Sequence, residues 1–220
     1  MRLAAILLSL FLLSASAEMP PAIKSLMKPE VYRRITTDRE VMTHASLDPV
    51  EGSKTLKRYS YYGTMLVHAS EALTRKALTD YPQYAKMVPY VDQSEYFPDT
   101  QQLQLEGGIW KFKLTSRIHF ENRTNHWIHY RIVEGSFHGL DGDVFFESLG
   151  EKGTLVYLRG DLTGEQWPPA FVIERGAEIV FGFTGKKMRS YIESLKSEPA
   201  GPPAPTGAPT PRQSIPRSNW

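Results

Sequence analysis

Cysteine is absent from this 220-residue chain. That excludes disulfides, thiol nucleophiles and thiolate metal sites together. An excess of one charge is lacking too: 26 Lys and Arg stand against 24 Asp and Glu, for a net charge of +2. Such a balance excludes nucleic-acid binding through a broad basic face. Long apolar runs are scarce, and the conspicuous one, Leu3 to Leu13, falls short of the roughly 20 residues that span a bilayer as a helix. No H-E-x-x-H or Gly-x-Ser-x-Gly sequence occurs, so neither zinc-protease nor nucleophile-elbow chemistry is indicated. Gly182 to Lys187 lacks the glycine spacing of a phosphate loop. The closest histidine pair, His126-x-x-His129, falls in strand-like sequence. Residues three apart on a strand face opposite ways, so no metal site is expected there. Ser136, His138 and Asp141 crowd one loop, where turn chemistry accounts for them better than a catalytic triad does.

What is present begins with Arg2, the apolar run and Ala15-Ser16-Ala17, the pattern of a cleavable export signal. Residues 1–17 are therefore expected to be a signal peptide cut after Ala17, and the mature protein to be secreted or periplasmic. At the other end, residues 197–220 are rich in Pro, Ala, Gly and Ser. That composition has too little apolar surface to order itself, so a disordered tail is expected. Residues 18–56 read as an N-terminal extension. Lys28-Pro29-Glu30 opens a short helix through Arg34, and Glu40 to Ser46 is strand-like.

From Leu56 onward the pattern sharpens. Arg58 to Ala69, rich in Tyr and β-branched residues, predicts a strand. Ser70 is an N-cap with Glu71 behind it, opening a helix to Asp80, and Gln83 to Met87 predicts a second short helix. Strands follow at 91–97, 101–105, 109–120, 126–134, 142–149 and 154–162. In Ile109 to Phe120 the residues Trp110, Phe112, Leu114, Ser116, Ile118 and Phe120 share one face. A turn at Glu121–Asn125 would set Phe120 opposite His126 and bring Tyr130 and Ile132 to the same apolar face. Pro168-Pro169 then suit the first turn of a long helix reaching Lys196. Its apolar face is Ile173, Ala177, Val180, Thr184, Met188, Tyr191 and Leu195. Gly176, Gly182 and Gly185 interrupt it, each costing about 1 kcal/mol relative to Ala. They serve either close packing against the sheet or room for something other than protein beneath the helix.

That element order resembles the START-like, or Bet v 1-like, superfamily. The matching pieces are Val67-His68-Ala69-Ser70, Leu78 to Tyr84, Gly153 to Tyr157 and Pro168-Pro169, and the resemblance covers 57–196. It implies an α+β helix-grip fold: a curved antiparallel sheet wrapped around a long C-terminal helix, with two short helices after the first strand. It also implies a cavity between sheet and helix that holds a lipid or other apolar molecule, with no shared catalytic motif and no cofactor. Some members of that superfamily are carriers or sensors and a minority are cyclases or hydrolases.

On this reading the sheet side of the cavity is Trp110, Phe112, Leu114, Ser116, Ile118, Tyr130 and Ile132, and the helix side is Gly176, Ala177, Val180 and Thr184. On the last strand, either Tyr157, Arg159 and Asp161 or Val156 and Leu158 face inward; the alternation leaves both open. Three functions follow. The first is an exported carrier of an apolar small molecule, in transient contact with a membrane and not with nucleic acid. The second is an enzyme of the same fold using Arg159, Asp161 and Tyr130, and the third is an interaction module whose cavity is filled by its own side chains.

Overall fold

The computed structural model describes residues 22–109, 112–167 and 170–196, with the backbone alone for Ile109, Phe112 and Val172. The expected signal peptide, the expected tail, Trp110 and the Pro168-Pro169 pair lie outside the described residues, as do the side chains of Phe112 and Val172.

Lys28 precedes α1 (Pro29–Asp38), with Pro29 at the first position, where its missing N–H leaves no gap. The helix ends at Arg39, in the left-handed region at φ 55°. Strands β1 (Met42–Pro49) and β2 (Lys57–Val67) form a hairpin. In α2 (Glu71–Leu78), the Ser70 hydroxyl accepts the Leu73 N–H, capping one of the helix's unpaired donors. A 3-10 turn at Tyr81–Gln83 leads into α3 (Tyr84–Met87). Six strands follow: β3 (Val91–Phe97), β4 (Gln102–Ile109), β5 (Phe112–Thr124), β6 (Trp127–Gly135), β7 (Asp141–Ser148) and β8 (Thr154–Gly164). The chain closes with α4 (Ala170–Leu195).

All eight strands form one antiparallel sheet in the order β1-β2-β8-β7-β6-β5-β4-β3. Pairing β2 with β8, the second and third strands of that order, joins the first hairpin to the last strand. Register shifts in the β3–β4 and β5–β6 pairs add local bend and twist. Helix α4 packs on β1 and β2, and touches α2 and α3. This is the α+β helix-grip arrangement that the sequence resemblance implies.

Two differences from the sequence reading concern register and boundaries. The β5–β6 turn is shorter than Glu121–Asn125: Thr124 pairs with Trp127, and Phe120 lies opposite Tyr130 rather than His126. The slip is an even number of residues, so Tyr130 and Ile132 keep the face they were given. The extension is also no appendage. Its second half is β1, a full strand of the sheet.

The sheet is apolar on both faces. On the concave side, Tyr59, Tyr61, Met65, Val67, Ile128, Tyr130, Phe146 and Val156 join Ile192 of α4 in the main core. On the convex side, Leu66, Phe145, Leu155 and Tyr157 pack with Ile23 and Ile35 of the extension. Ile35 is fully buried there, and the Ile23 N–H donates to Glu147 at 2.9 Å. Residues 22–38 are thus a lid on the outer face of the sheet. Truncating Ile35→Ala is expected to cost about 2–5 kcal/mol in urea unfolding, the range for large-to-small core changes; a loss within experimental error would show this lid to be dispensable.

Candidate functional site

Between the concave face and α4 lies a hollow of about 300 Å³, at the lower end of the range for small-molecule pockets. Its sheet wall is Tyr61, Met65, Leu105, Ile118, Phe120, Ile128, Tyr130, Val144, Val156 and Leu158. Leu78, Tyr81, Tyr84 and Val88 of the α2–α3 region close one side, and Val41 and Thr43 another. Helix α4 supplies Phe181, Thr184, Gly185 and Met188.

Glycine decides how closely α4 approaches. A Cβ on Gly185 would meet Val41 Cγ1 at 2.8 Å, and one on Gly182 would meet Thr43 Oγ1 at 3.7 Å. Gly185 thus lets the helix lie close on Val41, just before β1, and also borders the hollow, whereas a Cβ at Gly182 would make an ordinary contact. A Cβ on Gly176 would meet open space. The flank of α4 on β1 is fixed by polar contacts: Glu174 accepts the Leu47 N–H at 2.9 Å, and the Thr43 hydroxyl donates to the Glu178 carbonyl at 3.1 Å. Glu193 takes the His68 N–H at 2.8 Å and the Arg39 guanidinium at 2.6 Å.

The floor of the hollow has one row that explains its polar content. Across β2, β8, β7 and β6 the residues in register are Tyr61, Gly160, Gly142 and Tyr130. Two glycines in the middle leave a trough, and the tyrosines lie into it from both sides until their hydroxyls hydrogen-bond. Cβ atoms would collide there: one on Gly160 would stand 2.8 Å from Tyr61 Oη and 2.9 Å from Tyr130 Oη. The Tyr130 hydroxyl donates to the Arg159 carbonyl at 2.9 Å, so the shared proton comes from Tyr61. Burial raises both phenol pKa values, and both stay protonated at any physiological pH. Phe181 stacks on Tyr61 with ring centroids 4.7 Å apart, which locks α4 over this row.

The sequence-derived set divides. Ile118, Tyr130 and Thr184 line the hollow. Ile132 and Ala177 belong to the surrounding core, and Val180 is half-buried on the helix. Leu114 is 41% exposed, beyond the covered part of the sheet. Ser116 turns its hydroxyl to the Ser136 carbonyl at 2.8 Å. The last strand resolves in favour of Val156 and Leu158. Tyr157, Arg159 and Asp161 alternate to the convex side, where Tyr157 stacks on Tyr62 and Asp161 faces Arg58. The combination of Arg159, Asp161 and Tyr130 considered for an enzyme is therefore split by the sheet. Residues missed by the sequence reading include Tyr61, Tyr81, Tyr84 and Phe181. Phe181 is four residues from Ala177 and so carried the helical signal; Tyr61 shares a strand face with Tyr59.

Arg159 has a different partner from the one expected. With Nε at 3.0 Å and Nη2 at 2.8 Å it holds Asp143, which also accepts the Trp127 indole N–H at 2.8 Å and lies 3.2 Å from His129 Nδ1. Burial alone would push the Asp143 carboxyl up, but these hydrogen bonds outweigh it and hold the pKa below the ordinary carboxylate value. A carboxyl with a depressed folded-state pKa stabilises above its unfolded value of about 3.9, and that contribution is lost as pH falls through the folded value. Urea unfolding between pH 7 and pH 2.5 should accordingly show a shallower acid limb for Asp143→Asn than for the parent; superimposable limbs would rule the network out. On the concave side, Gly160→Ala should cost about 1–3 kcal/mol by crowding the two hydroxyls. Combined with Tyr130→Phe, that cost should shrink in a double-mutant cycle; strict additivity would mean the trough is not what the glycine is for.

No protein-family model matches the sequence, and no curated protein does. Solved structures do. A START superfamily protein from Mycobacterium smegmatis aligns at 18% identity with a TM-score of 0.53, covering 62% of this chain and 98% of that one. A conserved protein from Geobacillus kaustophilus aligns at 11% identity and a TM-score of 0.51, over 60% and 94% of the two chains. Ara h 8.0201 aligns at 11% identity and a TM-score of 0.51, over 62% and 99%. At these identities the likeness concerns the backbone. With its eight-stranded sheet gripping α4 and the hollow between them, this chain has the START-like, helix-grip fold.

Proposed function

We propose that this protein is an exported carrier that binds a lipid or another apolar small molecule in the hollow beneath α4. The observation that carries the reading is the hollow itself: about 300 Å³, walled by aliphatic and aromatic side chains, with the linked Tyr61 and Tyr130 hydroxyls on its floor. Apolar burial supplies the affinity. A ligand giving up about 300 Å² of apolar surface gains on the order of 7 kcal/mol before the costs of association. The tyrosine pair supplies orientation by its free lone pairs: both of its protons are already donated, so it accepts from a ligand hydroxyl and offers nothing to a ligand acceptor. Export, to a secreted or periplasmic compartment, is the part of this reading that rests on the signal-like N-terminal sequence alone.

Organic extraction and mass spectrometry of the protein purified from its own host tests this reading. A stoichiometric apolar compound is the expected result. In parallel, titration with the fluorescent probe N-phenylnaphthylamine should saturate near one equivalent. Leu158→Trp, which fills the hollow from β8, should weaken that binding at least tenfold while leaving the unfolding temperature within a few degrees. Neither a bound compound nor saturable probe binding in the parent protein would end the carrier reading.

A further inference from the structure

The outer face of α4 has a composition unlike the rest of the helix. Phe171 is 72% exposed, Ile179 59% and Phe183 44%, and successive steps of eight and four residues put all three on one side. Arg175, Lys186 and Lys187 are exposed among them, with the Lys187 ammonium 5.8 Å from the Phe183 ring centre. The acids of α4 lie off this face: Glu174 holds the Leu47 N–H, Glu193 holds Arg39, and Glu178 faces both His44 and Arg175 at 3.5 Å, a loose pair that leaves the Arg175 side chain 77% exposed. Every fully exposed charged residue of α4 is therefore basic. Tyr90, 44% exposed, extends the apolar strip beside Phe183, with ring centroids 6.3 Å apart. Such side chains on the surface of a monomer mark a contact site.

We infer that this face of α4 docks flat on an anionic lipid surface, with Phe171, Ile179 and Phe183 entering the interface and Arg175, Lys186 and Lys187 meeting the headgroups. Segregation of large apolar side chains and basic charge on one exposed helix face is the chemistry of an interfacial helix, and the sign of the charge selects acidic lipids. The same helix covers the hollow through Phe181, Thr184 and Met188 on its inner side. Docking would thus bring the covering element of the cavity to the source of apolar molecules. The inference concerns the outer face alone and does not depend on occupancy of the hollow.

Because the chain has no cysteine, Ile179→Cys can carry a single polarity-sensitive dye, with Glu151→Cys, exposed on the β7–β8 turn, as the control. The labelled full chains are mixed with vesicles of phosphatidylcholine alone or with 30% phosphatidylserine. The expected result is a blue shift at position 179 only, about tenfold or more stronger in apparent affinity on the acidic vesicles, and reduced by high salt and by Lys186→Glu/Lys187→Glu. A shift at position 151 without one at 179 overturns the inference, since the chain would then dock by another surface. So does a blue shift at 179 that rises with protein concentration before vesicles are added, which would mean that a second copy covers the face. A shift without vesicles that disappears on removal of residues 201–220 overturns it as well, because the tail would then be the occupant.

Discussion

A sheet with large apolar side chains on both faces has to be covered twice, and everything in this protein follows from how the two covers differ. On β8, Leu155 and Tyr157 point one way while Val156 and Leu158 point the other. The convex cover is residues 22–38, seated so closely that Ile23 and Ile35 are almost completely buried. The concave cover is α4, which packs hard on β1 and β2 at one edge. Away from that edge the hollow remains. Both faces of the sheet therefore carry packed core, and the concave one also retains space.

That division also explains which parts of the chain were legible from sequence. Ser70, the even-numbered residues of β5 and the four-residue rhythm of α4 each obey a single local rule, so the elements they define could be read directly. The strand β8 could not be assigned a face, because burial from Thr154 through Tyr157 is continuous. Alternation carries no information where both sides are covered. For the same reason Arg159 could not be given a face, and its partner Asp143 was not visible because it lies on a neighbouring strand, paired by register. The covering role of residues 22–38 was hidden because an apolar face on a short segment does not say which surface it packs on. Ile23, Leu26, Met27, Val31, Tyr32 and Ile35 form the contact, and they show no meaning until the convex face exists to receive them.

The hollow owes its shape to what is missing from its walls. Gly142 and Gly160 remove two side chains from the centre of the sheet, and the space is taken by two rings arriving from β2 and β6. Their hydroxyls satisfy one another and a backbone carbonyl, so the polar atoms on the floor cost little to keep dry. The remaining wall is hydrocarbon. Gly185 acts in the other direction, letting α4 settle on Val41 and thinning the helix where it borders the space. Small residues thus serve close contact on both walls of the site, ring on strand at one and helix on Val41 at the other.

The bond from the Ile23 N–H to Glu147 joins positions 124 residues apart. It has a kinetic consequence. The strand pairs from β3 to β7 can form as they emerge, but neither the β2–β8 ladder nor the seat for the outer lid exists until the last strand is made. Long-range pairing of this kind slows folding, and it leaves the β1–β2 hairpin and residues 22–38 without their partners until the end of synthesis.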